Sequence, residues 1–247
     1  MSRVISLINH KGGVGKTTTT LNLGKALAMQ GRKVLIVDID PQSNLSVSIG
    51  IRNPEVNIYD AICGDKELPV RKLEDNFFIV PADLNLSMAD VQLQSGVGGY
   101  FKFKKALSPI AQDYEFILVD CPPSLGILTM NALIASNEVL IVVQSEFLSI
   151  EGLTTITNLL EEMSSNLGIS WKITGFLLTQ TNHTVVSKSV SEGLRERFGE
   201  HVFNTAIRRN ISLVEASGLQ QDIFSYAPAS HGAKDYLALA KEILTGD

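Results

Sequence analysis

The stretch Asn9-His10-Lys11-Gly12-Gly13-Val14-Gly15-Lys16-Thr17 constrains this chain more than any other. It follows an apolar run, Val4 to Ile8, with the length and composition of a buried strand. It precedes Thr18 to Gln30, which reads as a helix closed by Gly31. A strand, a glycine-rich turn and a helix N-terminus together make a cradle for phosphate. The glycines let backbone N–H groups approach the oxygens, and the helix dipole favours their negative charge. Lys16 is placed to reach the outer phosphates as a point charge, and Thr17 to put its hydroxyl on Mg²⁺. An ordinary glycine-rich turn would account for the glycines, but not for Lys16, Thr17, Lys11 and the strand–helix context together.

The rest of the chain reads as repeated strand and helix. Apolar runs recur at Val4–Ile8, Val34–Val37, Phe77–Val80, Phe116–Val119, Val139–Val143 and Ile173–Leu178. Near-continuous Val/Ile/Leu runs suit parallel strands covered on both faces. Helical patterns lie between them at Thr18–Gln30, Leu128–Ala135, Ile150–Ser165 and Ser187–Phe198. The alternation predicts an α/β fold: a doubly wound, mostly parallel sheet flanked by helices. At 247 residues, 45% hydrophobic and 19% charged, the chain suits one globular α/β domain spanning residues 1–247. Gly96 to Gly99 reads as a surface loop.

Charge and cysteine usage narrow the function classes. A net charge of −5 does not mark a nucleic-acid binder, so any DNA contact must come from a local patch. Cys63 and Cys121 lie far apart and lack metal-site spacing, as expected of structural thiols in a reducing cytosol. No apolar stretch approaches the length of a membrane span.

Two further motifs stand where the first one needs them. Val37-Asp38-Ile39-Asp40-Pro41-Gln42 follows the second strand, at the end where open α/β sheets gather ligands. On an extended segment Asp38 and Asp40 point the same way, and Pro41 blocks continuation of the strand. Ile117-Leu118-Val119-Asp120-Cys121-Pro122-Pro123-Ser124 ends an apolar strand in a carboxylate. Asp120 there suits Mg²⁺, which keeps much of its hydration and takes few carboxylates.

Lys11-Gly12-Gly13-Val14-Gly15-Lys16-Thr17-Thr18 resembles the deviant Walker A motif of the ParA/MinD family of P-loop ATPases, and the resemblance covers nearly the whole chain. His10 stands where the usual P-loop has glycine. The resemblance implies ATP and Mg²⁺, with Lys11 to Thr18 lining the nucleotide. It implies that Lys11 reaches across an ATP-dependent homodimer to the partner's nucleotide. Asp38 to Gln42 is similar to the family's first switch segment: Asp40 would orient and help deprotonate the attacking water, and Asp38 would hold the Mg²⁺ hydration shell. Asp120 is similar to a Walker B aspartate, with Thr17, Asp38 and Asp120 forming the metal set. Cys121 to Ser124 resembles the second switch. Ile207-Arg208-Arg209-Asn210 resembles the adenine loop, with Asn210 the base contact through its amide and Arg208 in place of a proline. His231 to Tyr236 resembles the segment that opens the last core helix, with His231 structural.

Chromosomal partition ATPases of this family bind DNA without sequence preference through arginines that here are replaced at Thr184 and Ser212. The basic residues nearest that surface are Lys188, Arg195, Arg197, Arg208 and Arg209, interleaved with Glu192, Glu196 and Glu200. Lys102, Lys104 and Lys105 form a second weak patch. A solvated helix face with ordinary ion pairs explains either equally well. The expected function is a cytoplasmic ATPase that positions a plasmid, chromosome region or protein assembly. A ParB-like or other small adaptor would stimulate hydrolysis, and DNA binding would make the protein nucleoid-associated. A MinD-like membrane relative would need a basic amphipathic tail. Here Tyr236, Leu237, Ala240, Ile243 and Leu244 make a core-facing stripe and only Thr245 to Asp247 follow. A biosynthetic synthetase of the dethiobiotin type would need a substrate pocket for which no residues stand out. A cluster-bridging protein of the nitrogenase iron-protein kind would need a second cysteine where Cys63 does not stand.

Overall fold

A computed structural model describes residues 2–96, 98–146 and 151–246. Its strands are β1 (Arg3–Ile8), β2 (Val34–Asp38), β3 (Arg71–Glu74), β4 (Phe77–Val80), β5 (Phe116–Asp120), β6 (Glu138–Gln144) and β7 (Lys172–Thr179). The helices of the N-terminal half are α1 (Lys16–Met29), α2 (Asn44–Val47), α3 (Ile58–Gly64), α4 (Ala89–Ser95) and α5 (Lys102–Leu107). Those that follow are α6 (Ile127–Ala135), α7 (Glu151–Leu167), α8 (Val185–Phe198), α9 (Ile211–Gly218), α10 (Ile223–Tyr226) and α11 (His231–Thr245).

The strands form one sheet in the order β3-β4-β2-β5-β1-β6-β7, parallel except for β3. Successive strand residues face opposite sides, so each strand feeds two cores. Leu7, Ile36, Leu118 and Leu140 pack with Leu23 and Leu27 of α1 and Tyr236 and Leu239 of α11. Val37, Val119 and Ile141 pack on the other face with Ile62, Phe103, Leu133, Ile156 and Leu194.

This order fixes the site. The chain leaving β1 runs through α1 to β2 on one side, while the chain leaving β5 runs through α6 to β6 on the other. Adjacent strands whose connections diverge leave a crevice at their carboxyl ends. The glycine-rich loop and Asp120 therefore meet there. The register Asp38↔Asp120 brings the end of β2 alongside.

Several expected boundaries move. α1 starts at Lys16 rather than Thr18, because Gly15 holds a left-handed conformation (φ 95°) as the residue before the helix. α8 starts at Val185 because the Thr184 hydroxyl caps it, accepting from Ser187 N–H at 3.3 Å. α7 covers Glu151–Leu167, and the expected first residue, Ile150, lies outside the described residues. The Gly96–Gly99 stretch is not wholly a surface loop: Gly99 is buried and its carbonyl accepts the Asn131 amide at 2.9 Å. Val97 of that stretch lies outside the described residues. The expected stripe on the last helix is present, with Tyr236, Ala240 and Ile243 buried and Leu237 and Leu244 packed at its margin.

Candidate functional site

The loop after β1 is held from behind by its carbonyls and side chains. Asn9 anchors it, donating from Nδ2 to the Val142 carbonyl at 2.6 Å and accepting Lys11 N–H on Oδ1 at 2.9 Å. The Gln180 amide donates to the Gly13 carbonyl at 2.7 Å, and the Thr179 hydroxyl to the Val14 carbonyl at 2.7 Å. The buried Lys16 ammonium donates to the carbonyls of Asn9 (3.2 Å) and Lys11 (3.3 Å). With its carbonyls tied back, the loop can present N–H groups to the cavity. The first bond of α1 runs from Thr19 N–H to the Gly15 carbonyl at 2.9 Å, so the donors ahead of it have no helical partner.

In front of the loop lies a cavity of about 400 Å³ lined by Gly12, Gly13, Gly15, Lys16, Thr17, Thr18, Asp40, Gln42 and Pro123, among others. A second, of about 370 Å³, shares Gly15, Thr18, Leu213 and Ser217 with it and reaches Arg209 and Asn210. The two together offer a polar, donor-rich end and a flatter end at the start of α9. Asn210 caps α9 through Oδ1, which accepts Ser212 N–H at 2.9 Å. Its amide NH₂ has no partner of its own among the described residues.

The carboxylates differ sharply. Asp120 is fully buried, and neither oxygen accepts a hydrogen bond among the described residues. Burial, and next the neighbouring Asp38, push its pKa well above the carboxylate range; the nearby Thr17 hydroxyl and Lys16 only moderate this. Two orphaned oxygens beside a threonine hydroxyl at a phosphate cradle fit a divalent cation. Among the described residues, no group of His, Cys, Asp or Glu side chains forms an all-protein metal cage. Mg²⁺ binds through one or two carboxylates together with substrate phosphates and water, and Asp120 offers one such carboxylate.

Asp38 has another environment. Ser46 donates to its Oδ2 from both the hydroxyl (2.7 Å) and the backbone N–H (2.9 Å), and Asp40 N–H donates to Oδ1 at 3.2 Å. Burial nevertheless pushes it up to about 7, against the pull of those bonds. The expectation of a matched pair pointing one way therefore changes. β2 ends at Asp38, whose oxygens are engaged by the protein, while Asp40 lies beyond the strand on the cavity wall with Oδ1 accepting Gln42 N–H at 2.9 Å. Burial lowers the Lys16 pKa, with Asp120 the strongest opposing influence.

Lys11 stands at the start of the loop, its side chain 45% exposed and its ammonium 3.4 Å from Glu146. The basic residues singled out for DNA are mostly engaged. Arg208 pairs with Asp235 through Nε (3.0 Å) and Nη2, Arg195 donates to the Phe203 carbonyl (3.0 Å), and Arg197 donates to the Thr154 hydroxyl (3.1 Å). Lys188 stands 3.8 Å from Glu192, and of these five only Arg209 carries no side-chain partner among the described residues. Lys102 and Lys105 both pair with Asp65. Cys121 is buried and Cys63 half-buried, with burial pushing the Cys63 thiol up to about 11. Both are unpaired thiols.

Sequence reasoning missed Thr179, Gln180 and Ser46. Thr179 and Gln180 lie at the carboxyl end of β7, where ligand-side residues belong in such sheets. Position in the fold, not residue type, would have been the signal.

Comparison with known proteins gives consistent relatives. A family profile described as an AAA domain matches residues 2–173. The sporulation initiation inhibitor protein Soj of Bacillus subtilis (strain 168) is 40% identical over 249 residues, covering 98% of each chain. The chromosome-partitioning ATPase Soj of Treponema pallidum (strain Nichols) is 39% identical over 255 residues, covering 100% of this chain and 99% of its own. Among solved structures, cobyrinic acid a,c-diamide synthase of Mycobacterium smegmatis with a bound ATP analogue and magnesium superposes with a TM-score of 0.85. It is 30% identical and covers 99% of this chain and 95% of its own.

Proposed function

The chain belongs to the ParA/MinD family of P-loop ATPases, and on that premise we propose that it is an ATP-dependent positioning ATPase whose ATP-bound form is a homodimer. The observation that carries the reading is the pairing of a buried Lys16 at the loop with a partner-free Asp120 beside it. In this reading Lys11 to Thr18 embrace the phosphates, with the Lys16 charge on the outer ones. Asn210 offers its free NH₂ to the adenine. Thr17 and Asp120 hold Mg²⁺, which supplies charge neutralisation to the phosphates. Asp40, with one oxygen held by Gln42 and the other turned loose on the cavity wall, orients a water and takes its proton. Lys11 is exposed at the start of the loop and engaged only weakly, so it can turn to meet a partner's phosphates. Dimerisation then depends on the γ-phosphate.

The cargo reading is a plasmid, chromosome region or protein assembly, moved in the cytoplasm with a small adaptor that stimulates hydrolysis. Its support is the likeness to two Soj proteins, one of them called chromosome-partitioning. Of the five basic residues singled out, DNA contact falls to Lys188 and Arg209, the two least committed to other groups, doubled across the dimer. A synthetase reading has one support, the M. smegmatis likeness. Lys11 argues against it, since a synthetase acting within one subunit has no need of a lysine outside its own cradle. No helix among the described residues is long and apolar enough to cross a membrane. The direct test is Mg²⁺-dependent release of phosphate from ATP by the purified protein, with and without DNA. A protein that neither binds nor hydrolyses ATP would end the reading.

A further inference from the structure

Ser46, in α2, is fully buried. Its hydroxyl and its backbone N–H both donate to Asp38 Oδ2, at 2.7 and 2.9 Å. The same hydroxyl oxygen accepts Ala82 N–H at 2.9 Å, from the chain just beyond β4. Asp38 Oδ1 in turn accepts Asp40 N–H at 3.2 Å. Residues 39–45, the loop after β2 and the first turn of α2, thus form a segment whose two ends are fastened at one carboxylate.

Within that loop the Asp40 carbonyl accepts Ser43 N–H at 2.8 Å, and its Oδ1 accepts Gln42 N–H at 2.9 Å. Ser43 turns the chain into α2 with a left-handed backbone (φ 50°), a conformation that a serine keeps only where its surroundings enforce it. The enforcement comes from both ends: Asp38 on β2 and Ala82 beyond β4. Those two strands are neighbours in the sheet. A buried carboxylate that receives this set of donors is a structural post, and the group it steadies is the one on the cavity wall.

We infer that Ser46 is a positioning residue for Asp40, acting through Asp38 to hold the β2–α2 loop so that the free Asp40 oxygen faces the reacting phosphate. The inference rests on the ATPase reading above and adds a residue to it. Removing the hydroxyl leaves only the residue-46 backbone N–H on Asp38, loosening that end of the loop, and leaves Ala82 N–H without its acceptor. Threonine keeps the hydroxyl and both bonds.

The test compares wild type, Ser46→Ala and Ser46→Thr by ATP turnover, ATP affinity and amide hydrogen exchange over residues 39–46. The expected result for Ser46→Ala is a kcat lower by about tenfold or more, since misplacement of a reacting group is costly, with KM changed by less than about threefold. Its loop amides exchange faster, and Ser46→Thr restores both. Should Ser46→Ala prove too unstable, Ser46→Cys keeps the volume with a weaker donor and should show the same split at smaller size. Wild-type kcat in Ser46→Ala overturns the inference. So does an equal loss of kcat and affinity in both the alanine and threonine variants, which marks a merely structural serine. A wild type that does not hydrolyse ATP rejects the ATPase reading and the positioning role together; the exchange data then still report whether Ser46 holds the loop.

Discussion

Two lysines of the same chemistry have opposite surroundings. Lys16 is buried and bonded to two loop carbonyls, whereas Lys11 is exposed and only weakly paired with Glu146. Lys16→Ala should therefore weaken ATP binding by about tenfold to a hundredfold, the range for a lost charged hydrogen bond. Lys11→Ala should leave the monomer's ATP affinity nearly unchanged and lose dimerisation and turnover. Titration with a fluorescent ATP analogue separates them, and equal loss in both would count against action in trans. These residues were legible because a lysine among glycines after a strand has little other use. Ser46 and Gln180 were not. A serine or glutamine carries no signal until the fold shows which carboxylate or carbonyl it meets.

At the scale of the element, the decisive feature is that β2 and β5 end side by side, with Asp38 opposite Asp120. Both are buried acids held above the carboxylate range, Asp38 at about 7. A folded-state pKa raised above the unfolded value gives stability that is present below the ordinary value of 3.8 and, for Asp38, lost as pH rises through about 7. Nucleotide-free protein should accordingly lose stability across that window, by up to about 1.4 kcal/mol per pH unit for each group. Asp120→Asn is a clean probe, because the amide keeps the shape of Asp120 and an acceptor oxygen for the nearby Thr17 hydroxyl. In denaturant melts the variant's stability relative to wild type should rise as pH climbs above the ordinary value of 3.8, where the unfolded wild-type carboxyl ionises and the buried one resists. It should also lose the extra stability that Mg²⁺ adds with ATP. A margin that stays constant with pH would contradict the raised pKa.

The buried strands were readable as elements because covered parallel strands are apolar throughout. β3 was not. It is an antiparallel edge strand, Arg71–Glu74, whose alternating exposure leaves no apolar run to detect. Short helices such as α2 and α10 escaped for a related reason: a single turn is set by caps and contacts rather than by periodicity.

On the scale of the whole molecule, the net charge is −5 and most basic side chains beside the site are already paired. DNA binding by the dimer should therefore be weak, independent of sequence, and should fall linearly in log affinity with log salt. Lys188→Glu, on an exposed side chain away from the nucleotide cavity, should weaken it on every sequence alike. Arg195→Glu is a poor probe, because it breaks the bond to the Phe203 carbonyl. Anisotropy of random duplex at low salt reads both the binding and its slope; a confirmed dimer that binds no DNA would reject nucleoid tracking. The central claim is that ATP assembles two copies and that hydrolysis through Asp40 takes them apart. Sedimentation velocity of Asp40→Ala with saturating ATP and Mg²⁺ tests it most directly. A stable dimer with ATP and a monomer with ADP is the predicted result; a monomer in both would contradict the account.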